Sequence, residues 1–425
     1  MVSRSKFIFH LLPLYLTLFM PIFLITGPFL SDLSLSVCGL IFLINSFRGN
    51  LKKYYNNYFV KFFIIFNLII LISSLVSDYE LFSLKSSFFY FRFALFALSV
   101  WYLIDSNKNF LIYFFFTLSC SFFVLVADGF IQYFFNKNII GLIPISDANG
   151  PRISSFFGSE LVMGSYLSRL FPLYFGLFIH FIKKMGNMYV NLHLIFFCLI
   201  YIIIFLTGER TAFFIINCTL IFLILLIQDF RKKISLVFLI LALFFLTTLH
   251  YKPEIGNRVI KYTLSQLQSE HINKLVVFSS MHTGHYKTGL KMFIDNKILG
   301  IGPNNFRQRC DEKKYRTLAY ADSGDDITTA CSTHPHNIYI QLLAETGIIG
   351  FSLIFGLFCS LIYFSLKIFF KNKKIKIDNL TISLLGGFII NLFPLMPAGN
   401  FFNNYINIIY FMPLGFYLWA FKNKI

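Results

Sequence analysis

Charge is scarce in this chain. Only 13% of its 425 residues are Asp, Glu, Lys or Arg, where a soluble domain usually carries about 25%. The shortage argues against an ordinary water-soluble fold and makes lipid the main solvent. A concentrated basic region is missing too. A formal charge of +18 would suit a nucleic-acid binder. The Lys and Arg instead punctuate apolar runs, as membrane topology demands, so no nucleic-acid partner is expected. No cleavable signal is evident, because the first apolar run is too long for an h-region and lacks a clear small-residue cleavage site. That run is read as a retained helix. No internal repeat is visible.

What is present is apolar and aromatic. Hydrophobic residues make up 57% of the chain, Phe alone numbers 58, and the mean hydropathy is +0.70. A bilayer core of about 30 Å needs about 20 apolar residues per helix. About twelve such stretches occur, near 7–26, 28–47, 59–77, 86–104, 110–134, 161–182, 190–207, 211–228, 234–250, 338–369, 379–397 and 404–421. Backbone polar groups in lipid must be satisfied internally, so these stretches are expected to be helices.

The connectors supply a second, independent signal. Basic residues follow every other stretch: Arg48, Lys52 and Lys53 after the second, Lys108 after the fourth, Lys183 and Lys184 after the sixth, Arg231 to Lys233 after the eighth, Lys371 to Lys376 after the tenth. Arg4 and Lys6 precede the first stretch, and Lys422 and Lys424 follow the last. One missed helix would break this alternation. The positive-inside rule then makes both termini cytoplasmic. The expected fold is an all-α polytopic membrane protein with about 12 transmembrane helices and one large, partly helical periplasmic loop between helices 9 and 10. Residues 1–250 carry nine helices, 251–336 the loop, and 337–425 the last three. A loop of that length should fold. Within it, Tyr286, Leu290 and Phe293 fall at i, i+4 and i+7, which predicts a short amphipathic helix. Gly300-Ile301-Gly302-Pro303-Asn304 reads as a turn.

Polar chemistry gathers on the predicted outer face. Thr333-His334-Pro335-His336-Asn337 leads straight into the tenth helix, with Asn337 as a plausible N-cap. A His at a helix N-terminus sits in positive potential, which favours the neutral, proton-accepting imidazole. His334 and His336 could instead be a metal pair, but no third ligand has a recognisable spacing, or they could be simple interfacial residues. Glu345 lies nine positions beyond His336 and cannot orient it along one helical face. Arg210 stands between two apolar runs, where a guanidinium needs a partner: Glu209 and free backbone groups, or a substrate phosphate. Arg152 is either a solvated loop residue or a second substrate contact. Arg169 falls inside the sixth helix, where Asp128 could pair with it. Five of the seven Cys lie in apolar runs. Cys310 and Cys331 lie in the loop, where an oxidising compartment favours a disulfide over two free thiols.

These segments resemble the O-antigen ligase and O-antigen polymerase superfamily of bacterial envelope glycosyltransferases. The likeness rests on His336-Asn337, nine residues, then Gly347-Ile348-Ile349-Gly350. Lys291 to Pro303 is similar to the family's helix and Gly-x-Gly turn, Arg152-Ile153-Ser154-Ser155-Phe156-Phe157-Gly158 to its loop before the sixth helix, and Thr207-Gly208-Glu209-Arg210 to its Arg junction. The resemblance covers roughly 125–400 and does not separate ligase from polymerase. It implies metal-independent transfer, without cofactor, of a glycan from undecaprenyl pyrophosphate to a sugar hydroxyl at the periplasmic face of the inner membrane. The acceptor would be lipid A-core for a ligase, or a second lipid-linked glycan for a polymerase. His336 would deprotonate that hydroxyl and Arg210 would hold the leaving pyrophosphate. Many members carry a further phosphate-binding Arg where this chain has His282. His285, Lys287 and Arg307 are the candidates to replace it, with Arg152 and Asn337 as further substrate contacts. The rival class is a polysaccharide or lipid-linked oligosaccharide flippase, whose chemistry would lie at the bilayer midplane. Few charges fall there: Arg92, Asp128 and Arg169 are the candidates.

Overall fold

Apolar runs that must satisfy their own backbone become helices, and a computed structural model shows this throughout. It describes residues 7–49, 51–147, 150–182, 185–251, 268–269, 274–275, 278–320, 326–370 and 377–422. Residues 321–325, most of the first part of the large loop, and the clusters at Lys183–Lys184 and Lys371–Lys376 lie outside these residues.

A helix occupies each of the expected stretches. They are α1 (Leu12–Leu18), α2 (Met20–Thr26), α3 (Pro28–Arg48), α4 (Tyr58–Leu75), α5 (Glu80–Ser87), α6 (Phe91–Ser106), α7 (Phe110–Phe135), α8 (Met163–Phe181), α9 (Asn187–Leu206), α10 (Arg210–Leu226) and α11 (Arg231–Tyr251). The loop helix α12 (Ser280–Asp295) follows, then α13 (Ile338–Phe370), α14 (Asn379–Asn391) and α15 (Asn404–Lys422). Two-stranded hairpins join Ile145–Asp147 to Gly150–Arg152 and Leu318–Tyr320 to Ile327–Thr329. Among the described residues, 6 helices are long and apolar enough to cross a membrane, or up to 7 if the pair Ile8–Leu18 and Met20–Thr26, bent by 59°, is one span. The protein is a multi-pass membrane protein.

Helix α8 forms the centre, with Tyr166, Leu170, Tyr174 and Leu177 fully buried. It packs chiefly on α14, α15 packs on α6, and α6 on α3. Small residues let these backbones approach. A Cβ on Gly176 would meet Leu380 and Ser383, and one on Gly387 would meet Pro172. Large apolar side chains such as Phe47, Phe116 and Phe134 point outward, as a lipid-facing surface requires.

Three elements depart from the sequence reading. Helix α14 stops at Asn391 rather than near 397, because Pro394 and Pro397 cannot continue it. Residues 392–403 become an irregular segment. Helix α12 forms as expected and buries Tyr286 as predicted, but the rest of its buried stripe is His285, Thr288, Gly289 and Met292, while Leu290 faces outward. The long tenth stretch breaks at Gly347 (φ 63, ψ −166). Its first turns pack on the loop instead of continuing the straight helix.

That break explains the paired glycine motifs. Gly300 has φ +70 and Gly347 φ +63, a region open to Gly at little cost. A Cβ on Gly300 would collide with the backbone of Glu345–Gly347, and one on Gly347 with the backbone of Ile298. The two chains are stitched together by Ile301 N–H to Ala344 O (2.9 Å), Gly302 N–H to Glu345 O (2.9 Å) and Ile348 N–H to Lys297 O (2.8 Å). The Glu345 carboxylate accepts from Phe306 N–H (3.1 Å) and Gln341 (2.9 Å). It therefore braces the turn and leaves His336 to other partners. Cys310 and Cys331 are joined in a disulfide with Cα atoms 5.1 Å apart, beside the buried Met292, Phe306 and Tyr315.

Candidate active site

The short turn Ser332–Asn337 is held at both of its edges. Asn337 caps α13, its Oδ1 accepting from Tyr339 N–H (3.0 Å) and Ile340 N–H (3.1 Å). Its Nδ2 donates to Pro394 O (2.7 Å), which ties the turn to the irregular segment. His336 adopts φ 57, a left-handed conformation unusual for a side chain-bearing residue and a common mark of functional sites. Its carbonyl accepts from Ala398 N–H (2.9 Å), and its Nε2 lies 3.2 Å from Ser332 Oγ.

Four imidazoles meet here. From His336, the ring centroids lie at 4.2 Å for His334, 5.1 Å for His285 and 5.6 Å for His282. His334 is pinned by Thr333 Oγ1 (2.8 Å) and Ala398 O (3.1 Å). Neither ring nitrogen of His285 has a hydrogen-bond partner among the described residues. Burial pushes His285 down to about 4, with His336 and His282 adding to the shift. Burial also lowers His334 to about 3, with His336 next in importance. Both rings are thus neutral at physiological pH. Among the described residues, no three His, Cys, Asp or Glu side chains converge as metal ligands.

The Arg-bearing motifs also meet one another. Arg152, at the end of its hairpin, reaches Thr207 O with Nε (3.4 Å). Glu209, beside Arg210, turns towards the start of α8 and accepts from Gly164 N–H (2.6 Å) and Ser165 N–H (2.9 Å). A carboxylate at a helix N-terminus is electrostatically favoured. Desolvation still pushes Glu209 up to about 7, against those two N–H donors and the charges of Arg152 and Arg169. Arg169 takes partners other than the suggested Asp128. It donates to Asn391 and Tyr410 (3.1 Å) from Nη1 and to Ser165 (3.0 Å) from Nε. Asp128 instead accepts from Ser155 (2.5 Å), Asn138 (3.2 Å) and Ile139 N–H (2.9 Å). Arg92 likewise pairs with Asp32 (2.8 Å).

The two clusters flank one segment. Arg169 holds Asn391, the last residue of α14. Tyr339 holds Leu392 O (2.6 Å), Asn337 holds Pro394 O, and Ala398 closes on His336. This run of contacts brings Arg152, Glu209 and Arg210 to the same end of the helix bundle as His282, His285, His336 and Asn337. Lys287 does not join them, since it lies about 200° round α12 from His285 and is exposed. Arg307 faces a different pocket. His334 was singled out with His336 in the sequence, but the Ala398 peptide that binds both was not. A peptide from an irregular segment carries no periodicity or residue-type cue.

Comparison with known proteins adds a separate line of support. Residues 194–355 match the sequence model of the family described as O-antigen ligase. No curated protein matches the chain. The matched stretch runs from α9 into α13 and includes Arg210, the imidazole-bearing loop and the Gly347 break. Over that stretch the chain is similar to the O-antigen ligase family.

Proposed function

We propose that this protein transfers a glycan from a lipid pyrophosphate, of the undecaprenyl type, to a sugar hydroxyl at the extracytoplasmic face of the bacterial inner membrane. His336 is the general base. It takes the proton of the acceptor hydroxyl, whose oxygen bonds to the anomeric carbon of the donor. The bond from that carbon to the pyrophosphate oxygen breaks, and the lipid pyrophosphate leaves with the electron pair. Arg210 and Arg152 offset the charge that develops on it, with guanidinium forks matched to phosphate oxygens. His282 and His285 line the approach to His336, and Asn337 fixes its helix. The acceptor is lipid A-core for a ligase, or a second lipid-linked glycan for a polymerase.

One observation supports this reading above the others. An imidazole in a strained backbone position, among neutral neighbours, shares one end of the bundle with an Arg-rich junction. The reaction needs a neutral base on one side of the transferring carbon and cations on the other. A flippase would have no use for a base at this end. The test is purified protein with a lipid-linked donor and a glycan acceptor. Wild type should form a new glycosidic bond, and His336→Ala should form it at least about 100-fold more slowly while remaining folded. Unchanged transfer by His336→Ala would discard the base.

A further inference from the structure

A second cationic pocket lies outside the groups used so far. Asp32 of α3, Lys85 of α5, Arg92 of α6, and Asn304, Arg307 and Asn400 from two loops border a cavity of about 430 Å³. That volume is in the range of small-molecule sites. Its charges do not cancel. Arg92 is committed to Asp32 (2.8 Å) and Ser36 (3.0 Å). Lys85 and Arg307 are exposed on the wall, and neither has an ion pair among the described residues. Two positive charges are left over a floor of amides, the kind of group that bonds sugar hydroxyls.

The pocket adjoins the imidazoles. Asn400 Nδ2 donates to Asn304 (2.5 Å), and its Oδ1 accepts from Gln341 (2.8 Å). Two residues earlier, Ala398 carries the peptide that binds His334 and His336. Arg307 is near enough to disfavour charge on His334. The imidazoles thus have an Arg152–Arg210 junction at one flank and this pocket at another. Glycosyl transfer brings two anchored substrates to one base. If each carries an anionic group, the two repel unless each is neutralised separately.

We propose that the Lys85–Arg307 pocket is a second anion site, which holds a phosphate or carboxylate group of the acceptor glycan while Arg152 and Arg210 hold the donor pyrophosphate. The inference rests on the transferase reading above. It is tested on the full chain in detergent, first by thermal unfolding with inorganic phosphate or glucuronate as probes. Wild type should be stabilised by one of them, and the better probe identifies the group. Lys85→Gln/Arg307→Gln should lose at least four-fifths of that shift, while Lys85→Arg keeps it. No shift in wild type, or an equal shift in the double variant, overturns the pocket. In the transfer assay the double variant should raise the acceptor KM at least tenfold, with donor KM and kcat within twofold. A rise in donor KM instead overturns the assignment to the acceptor. Absence of transfer by wild type would sink the transferase reading, whereas the titrations would still decide whether the pocket takes anions.

Discussion

At the scale of the residue, His285 and His334 make the imidazole cluster acid-sensitive. Both rings are lowered from 6.5, to about 4 and about 3. The unfolded chain therefore binds more protons than the folded one below about pH 6.5. Stability from these groups is complete above that pH and falls as pH drops towards 4 and then 3. Thermal unfolding in detergent between pH 8 and pH 4 should show this decline, and His285→Phe should flatten it. An identical decline in that variant would place the acid sensitivity elsewhere. The residues of the candidate site were legible by two different routes. His336, Asn337, Arg152 and Arg210 stood out because polar residues are conspicuous beside apolar helices, whereas His282 and His285 came only from the family resemblance, along with Lys287 and Arg307, which the fold places elsewhere. The pairing of Arg169 was misread. Asn391 and Tyr410 outcompete Asp128 through a fold contact more than 200 residues away in sequence.

At the scale of the element, the Gly300 turn and the Gly347 break act as one joint. Each glycine has positive φ, and each would drive a Cβ into the other strand's backbone. Gly347→Ala should destabilise the protein by more than about 1 kcal/mol, since neither the conformation nor the space suits Ala. The check is a thermal-unfolding midpoint in detergent, with Gly356→Ala, which meets open space, as the control. A Gly347→Ala midpoint equal to that of the control would show that the joint tolerates a side chain. The same turn-bearing loop holds the Cys310–Cys331 disulfide, with a sequence separation of 21. Cys310→Ser/Cys331→Ser should cost about 2–4 kcal/mol and loosen the approach to His336. Limited proteolysis should then cut the 310–331 region faster. The glycine spacing was visible in the sequence, but its purpose was not. Two distant turns clamp backbone to backbone, and only the fold brings them together. The end of α14 was misplaced for a related reason: Phe393, Leu395 and Met396 keep the run apolar, while Pro394 and Pro397 end the helix.

At the scale of the whole molecule, the helix positions were legible because a bilayer imposes both length and composition. Each expected stretch holds a helix, even where α13 breaks or α5 and α6 divide one run. What the sequence could not convey was which helix ends lie side by side. The run of contacts from Arg152 through Glu209, Arg169 and Asn391 to Ala398 and His336 depends on α8 packing against α14 and α15. Arg210→Ala should leave that packing in place. In cells, donor glycolipid should accumulate while the protein still inserts and reaches normal level. Normal glycan output with no donor build-up would remove Arg210 from the leaving-group role.

The most direct measurement is glycosidic-bond formation by the purified full-length protein from a lipid-pyrophosphate glycan and an acceptor sugar, with His336→Ala and Arg210→Ala measured beside wild type. The account predicts a new bond with wild type, a loss of at least about 100-fold in kcat for His336→Ala, and a large fall in kcat for Arg210→Ala, with both variants folded. Transfer by His336→Ala at the wild-type rate would contradict it.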